Sequence, residues 1–227
     1  MGRVALVATL TCCLLPVAAW AQSPDPTADL RAIAQHVRSP GMISYELPRP
    51  IEEFAEPEPF DAAVQHTTLT LAKLVASVPA ANGTQIVTWK KYQVIERLSK
   101  EPQHLPFTGL PESVPKSLLP LRKGEFLLSE TGGTLTVDGV QLTMPPQART
   151  PLPEASLHLM FLLFNASGDV AGSNYGPYGM FWVDKDNWIH AQVDRSGIEP
   201  RDSMIRESGG TLAGLRDVAA RAAREKK

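Results

Sequence analysis

The chain of 227 residues has almost no cysteine: Cys12 and Cys13 are the only two. A disulfide framework and a thiolate metal site are therefore excluded for nearly the whole length. It has no basic excess either, with 22 Lys and Arg against 24 Asp and Glu. Nothing is left over to displace counterions along a phosphate backbone, so no nucleic-acid partner is expected. After the first fifteen residues there is no long hydrophobic run. The best, Leu-His-Leu-Met-Phe-Leu-Leu-Phe from Leu157 to Phe164, is too short to cross about 30 Å of hydrocarbon and has the length of a buried strand.

The signatures of chemistry are missing too. The five histidines, His36, His66, His104, His158 and His190, show no pair at metal-ligand spacing and no His-Glu-x-x-His. There is no Gly-x-Ser-x-Gly. Ser113-Val114-Pro115-Lys116 matches Ser-x-x-Lys, but Pro115 is awkward in the helical turn that this pairing needs. Asp184-Lys185-Asp186-Asn187 resembles the front of a calcium loop. Its sixth and twelfth positions are Ile189 and Arg195, where Gly and Glu are required. No metal and no cofactor are expected.

What is present begins with a leader. Arg3, an apolar stretch over residues 4–15, and Ala19-Trp20-Ala21 before Gln22 have the three parts of a secretory signal peptide. Cleavage is expected after Ala21, giving a secreted or periplasmic, cysteine-free chain with no transmembrane segment. Four parts then follow: signal peptide 1–21, a proline-rich lead-in 22–60, a β domain 61–200 and a helical tail 201–227. The lead-in holds seven prolines between Pro24 and Pro59. It also holds a short helical pattern at Leu30, Ile33, Ala34 and Val37, capped by Thr27 or Asp29, and an acidic stretch read as a solvated linker.

Between about His66 and Val193 the pattern is that of strands. The run from Thr84 to Leu98 changes its apolar phase at Lys90-Lys91, which a β-bulge would explain. In Thr-Leu-Thr-Val-Asp-Gly-Val-Gln-Leu-Thr-Met, Asp138-Gly139 predicts a two-residue hairpin turn. That turn sets Val137 opposite Val140 and Leu135 opposite Leu142. Glu125 to Glu130 is expected to pair beside this hairpin. A second hairpin turns at residues 184–187, and Thr211 caps a C-terminal helix with Leu212, Leu215, Val218 and Ala219 on its apolar stripe. The fold class expected is mainly β: a single antiparallel β-barrel or sandwich of seven to nine strands, with a short N-terminal and a C-terminal helix.

The succession IVTWKKYQVIERLSK, EFLLSETGGTLTVDGVQLTMP, LHLMFLLF and YGPYGMFWVDKDNWIH resembles uncharacterised bacterial secreted β-barrel proteins with an OB-type or netrin-like module. The resemblance spans about residues 65–193. It implies a barrel and export, and no catalytic residue. It departs at Ser99-Lys100, where a Lys-Gly turn is more usual.

The expected function is a non-enzymatic binding module of the cell envelope or exterior, whose partner is an envelope protein, a peptide or a glycan. The candidate ligand-binding residues are Asn174, Tyr175, Tyr178, Trp182 and Trp188. They lie in or just beyond a glycine-rich loop, and Tyr and Trp supply amphipathic contact area. Two alternatives stand beside it. One is a hydrolase assembled from His158 or His190 with Asp184 or Asp186. The other is a small-ligand carrier with a hollow barrel.

Overall fold

The computed structural model describes residues 25–50, 54–99, 104–146, 150–193 and 197–225. The expected leader and Glu52-Glu53 lie outside these residues, as do the side chains beyond Arg221. The described chain is mainly β, with ten strands and four helices, more of each than the sequence predicts.

The lead-in is structured. Helix α1 (Ala28–Arg38) buries Leu30, Ala34 and Val37. Strand β1 (Ser44–Glu46) follows, and then α2 (Phe60–His66), which starts at Pro59. Proline is tolerated at a helix start, where its missing N–H has no intrahelical partner to lose. Thr27 occupies the cap of α1 without a side-chain cap bond; Asp25 accepts from its N–H at 2.9 Å and its hydroxyl at 2.7 Å instead.

A long hairpin, β2 (Thr68–Asn82) and β3 (Gln85–Arg97), turns at Gly83-Thr84, one residue beyond the expected Asn82-Gly83, and forms the middle of the main sheet. Its register slips between Leu71 and Ala72 and between Leu74 and Ala76, opposite Glu96/Val94 and Tyr92/Lys91. The unpaired residues are Ile95 and Val75, so the bulges do not fall at Lys90-Lys91. The apolar phase changes there for another reason: both faces of β3 are covered. Trp89 packs outward under the proline-rich loop that brings Val114 and Leu118, while Tyr92 packs on the opposite face with Phe126 and Met160.

Strand β4 (Glu125–Thr131) pairs with β3. It does not pair with the Asp-Gly hairpin, contrary to expectation. Gly132 and Gly133, at φ +113° and +138°, turn the chain out of the main sheet into β5 (Gly133–Val137) and β6 (Val140–Met144). That hairpin has the predicted register, with Val137 opposite Val140 and Leu135 opposite Leu142. Asp138 and Gly139 adopt the positive φ this turn needs, +49° and +82°. With β1, parallel to β6, it makes a three-stranded sheet whose apolar side packs on α1 through Leu30, Ala34 and Val37.

Strand β7 (Leu157–Phe164) is buried on both faces, as its unbroken apolar run implies. It pairs with β2, with β8 (Val170–Ser173) and with β9 (Met180–Val183), which pairs with β10 (Ile189–Ala191). The main sheet runs β10-β9-β7-β2-β3-β4-β8. Its β4–β8 pairing is parallel, so neither sheet is purely antiparallel. One face, with Leu159, Phe161 and Phe181, is covered by α2, α3 (Arg201–Ser208) and α4 (Leu212–Glu225). Thr211 caps α4 as expected, its hydroxyl accepting from Gly214 N–H at 3.2 Å. Among the described residues, no helix is long and apolar enough to cross a membrane.

Candidate functional site

Between the main sheet and the Asp-Gly hairpin lies a cleft of about 500 Å³. Thr88 and Lys90 of β3 and Glu130 of β4 contribute from the main sheet, while Met144 and Thr143 contribute from the hairpin. Two glycines permit this approach. A Cβ on Gly132 would stand 2.6 Å from Pro146 Cα, and one on Gly133 would stand 2.7 Å from Thr88 Oγ1. Thr88 donates its hydroxyl to Gly132 O at 2.6 Å, holding the crossover to β3.

Thr88 lies opposite Glu130 in the β3–β4 ladder, so the two side chains share a face. Lys90 is two residues on and shares that face too. Its Nζ meets Glu130 Oε2 at 2.6 Å with only 15% of the lysine side chain exposed. Glu130 Oε1 is buried and has no hydrogen-bond partner among the described residues. A buried carboxylate oxygen without a donor is costly, and the residue that carries it lines the cleft.

Tyr92 follows Lys90 on the same face. Its hydroxyl donates to His158 Nδ1 at 3.0 Å, and His158 Nε2–H donates to Pro153 O at 3.0 Å. A carbonyl can only accept, which fixes this tautomer. Burial holds the imidazole below its usual pKa, and the Lys90 charge acts in the same direction. Burial, then the Glu130 charge, holds the Tyr92 phenol well above its own usual value.

None of the five residues singled out in the sequence lines this cleft; Gly172, Ser173, Gly176 and Pro177 of their loop do. Tyr175 is fully buried against Phe161, and its hydroxyl donates to a Glu58 carboxylate oxygen. Burial and that carboxylate raise its pKa. Asn174 O accepts from Ala55 N at 3.1 Å. Tyr178 and Trp188 are exposed, and Trp182 stacks on His190 at 4.2 Å between ring centroids. Glu58 also meets His66 Nδ1 at 3.1 Å, so this part of the acidic lead-in is bound to the domain.

The fold does bring His190 to Asp184. His190 Nε2 donates to Asp184 Oδ2 at 2.9 Å, while Asp184 Oδ1 accepts from the Asp186 and Trp188 N–H groups, each at 2.9 Å. The His190 bond is the first cause and the backbone bonds the next of the depressed Asp184 pKa. His158 has no carboxylate partner among the described residues and takes Tyr92 instead. Among the described residues, no hydroxyl hydrogen-bonds to His190 and no group of His, Cys, Asp and Glu could hold a metal ion.

Comparison with known proteins finds no family model, no curated protein and no solved structure that matches the chain. Sequence reading missed Lys90 and Glu130, which are forty residues apart. The one local signal is a lysine in phase with Tyr92 inside a β run.

Proposed function

We propose that the protein is an exported binding module that holds a short glycan in the cleft between its two sheets. The observation that carries this reading is the largely buried Lys90–Glu130 pair with its unpartnered Oε1. Rotation of the Glu130 carboxylate brings Oε1 out to accept from a sugar hydroxyl, and Lys90 donates to a ring or carbonyl oxygen. Ser129 and Thr131 add hydroxyls, while Met144 and Met180 meet the apolar C–H faces. A cleft near 500 Å³ suits a ligand of one or two sugar units rather than a protein surface.

The scaffold in this reading is an OB-type barrel. The pairings β2–β3–β4–β8–β7–β2 run in a ring, with β4 and β8 parallel, which supports closure, and the cleft then sits at the mouth. Export rests on the signal-peptide pattern of residues 1–21. Mass measurement of protein from its host should give a chain starting at Gln22; a chain retaining residues 1–21 overturns export. The Asp184–His190 pair acts here as a staple of the β9–β10 turn, which leaves the hydrolase reading without a nucleophile among the described residues.

The binding test is a glycan array probed with the wild type, Glu130→Gln and Lys90→Met. Wild-type binding that drops at least tenfold in both variants is expected, about the loss when one partner of a buried charge pair is removed. Binding unchanged in both variants, or binding only on a parallel peptide array, would overturn the glycan reading.

A further inference from the structure

A second cleft of about 500 Å³ lies toward the other ends of β3 and β4, beside Phe164 at the end of β7, and it shares no lining residue with the first. Its character is opposite. Arg97, Arg122 and Lys123 converge on it. The Arg97 guanidinium lies 4.8 Å from the centroid of the Phe164 ring, a contact that orients the cation without neutralising it. Among the described residues, no carboxylate forms an ion pair with any of these three side chains. Glu125, the acid between them, is already engaged: it accepts from Arg122 N at 2.8 Å and meets Lys91 Nζ at 3.5 Å. Asp169 is the one further carboxylate there. In a chain of net charge −2, this is a local reversal of sign.

The rim adds a second, independent feature. The loop from His104 onward is tied down along it. His104 bridges Phe164, Leu105 N donates to Phe164 O at 2.7 Å, and Asn165 Nδ2 donates to Gly109 O at 3.2 Å. The same loop sends Val114 and Leu118 into the core, yet leaves Phe107 38% and Leu110 40% exposed. Two exposed apolar side chains on a loop bonded to the edge of a cationic cleft match a bilayer surface, where phosphate meets acyl chain. An arginine fork binds a phosphate through paired N–H groups.

We propose that this cleft takes the phosphate of an anionic phospholipid headgroup, so that the protein docks on a membrane surface with Phe107 and Leu110 entering the interface. The loop that carries Phe107 and Leu110 is bonded to Phe164 and Asn165, which line the cationic cleft, and that cleft shares no lining residue with the glycan cleft.

The test is co-sedimentation of the full chain with equimolar phosphatidylglycerol and phosphatidylcholine vesicles, against pure phosphatidylcholine. The expected result is binding to the anionic vesicles alone, released by salt. It should weaken about fivefold for each cation removed, hence by about twenty-five-fold in Arg97→Gln/Lys123→Gln. Arg122→Gln/Lys123→Gln spares the Phe164 contact and should weaken binding equally, with an unchanged thermal midpoint. Phe107→Ser/Leu110→Ser should weaken binding while keeping its salt dependence, and Lys185→Gln, an exposed cation elsewhere, should change nothing. Three results overturn the proposal: equal binding to both vesicles, equal loss in Lys185→Gln, or stabilisation by inorganic phosphate with no vesicle binding.

Discussion

Two histidines stand in one row of the main sheet, either side of Trp182, which pairs with His158 on β7 and with His190 on β10. His158 is 1% exposed and has a partner on each nitrogen, a phenol and a carbonyl. His190 is at the rim, stacked on Trp182, with a carboxylate on Nε2. Burial lowers the pKa of the inner one, while the outer one shares a carboxylate already occupied by two backbone N–H groups. The same residue type is therefore a core component at one position and a turn fastener at the other. Stability should depend far more on the inner network.

The largest effect is expected from Tyr92→Ala. It removes a ring fully buried against Phe126, stacked at 5.5 Å, and leaves a cavity, so the loss should be about 3–5 kcal/mol in urea unfolding. A loss below about 1 kcal/mol, the level of an ordinary exposed site, would break the comparison. Next comes Tyr92→Phe, which keeps the ring and strips the donor from His158 Nδ1. An orphaned buried acceptor should cost about 1–3 kcal/mol. A silent Tyr92→Phe would mean that the hydroxyl is not what holds His158.

Which parts of this were legible from residues alone follows from how local each one is. Asp138-Gly139 and its flanking valines and leucines specify the same register twice, through turn geometry and through burial. Leu157–Phe164 could be read as central because an unbroken apolar strand has nowhere else to go. Thr211 could be read as a cap because the interaction spans three residues. The partner of β4 could not be read. Gly132-Gly133 signals a break but not that the chain changes sheet there. The lead-in prolines look like linker composition, yet Pro59 starts α2, and α1 covers the hairpin. Lys90 with Glu130, and Arg97 with Arg122 and Lys123, meet only through strand pairing and loop placement.

A smaller effect, seen only against pH, separates the histidines further. The His158 pKa is lowered in the fold from its ordinary value of 6.5, so the unfolded chain binds its proton more readily. Stability is complete above about 6.5, declines as pH falls below it, and levels off beneath the folded pKa. Lys90 and Glu130 act on the group in opposite directions, and burial is the larger cause. His158→Gln can still accept from Tyr92 and donate to Pro153 O without titrating. Its stability should be flatter than wild type between pH 7 and 5 in paired urea titrations. Parallel curves would show that His158 does not carry the acid sensitivity.

The smallest effect is expected at the rim, from Asp184→Asn. Asparagine keeps an oxygen to accept from the Asp186 and Trp188 N–H groups, so the β9–β10 turn should survive. What it loses is charge on the His190 bond. The Asp184 pKa is depressed in the fold from its ordinary 3.8, so its contribution is present above that value and fades as pH falls through the folded pKa. At neutral pH the variant should lose less stability than Tyr92→Phe. Below about pH 4, near the unfolded carboxylate value, the gap between variant and wild type should close. A neutral-pH loss equal to that of Tyr92→Phe, or a gap that persists in acid, would mean the rim pair does more than fasten a turn. Attention would then return to His190 as a group with a chemical task.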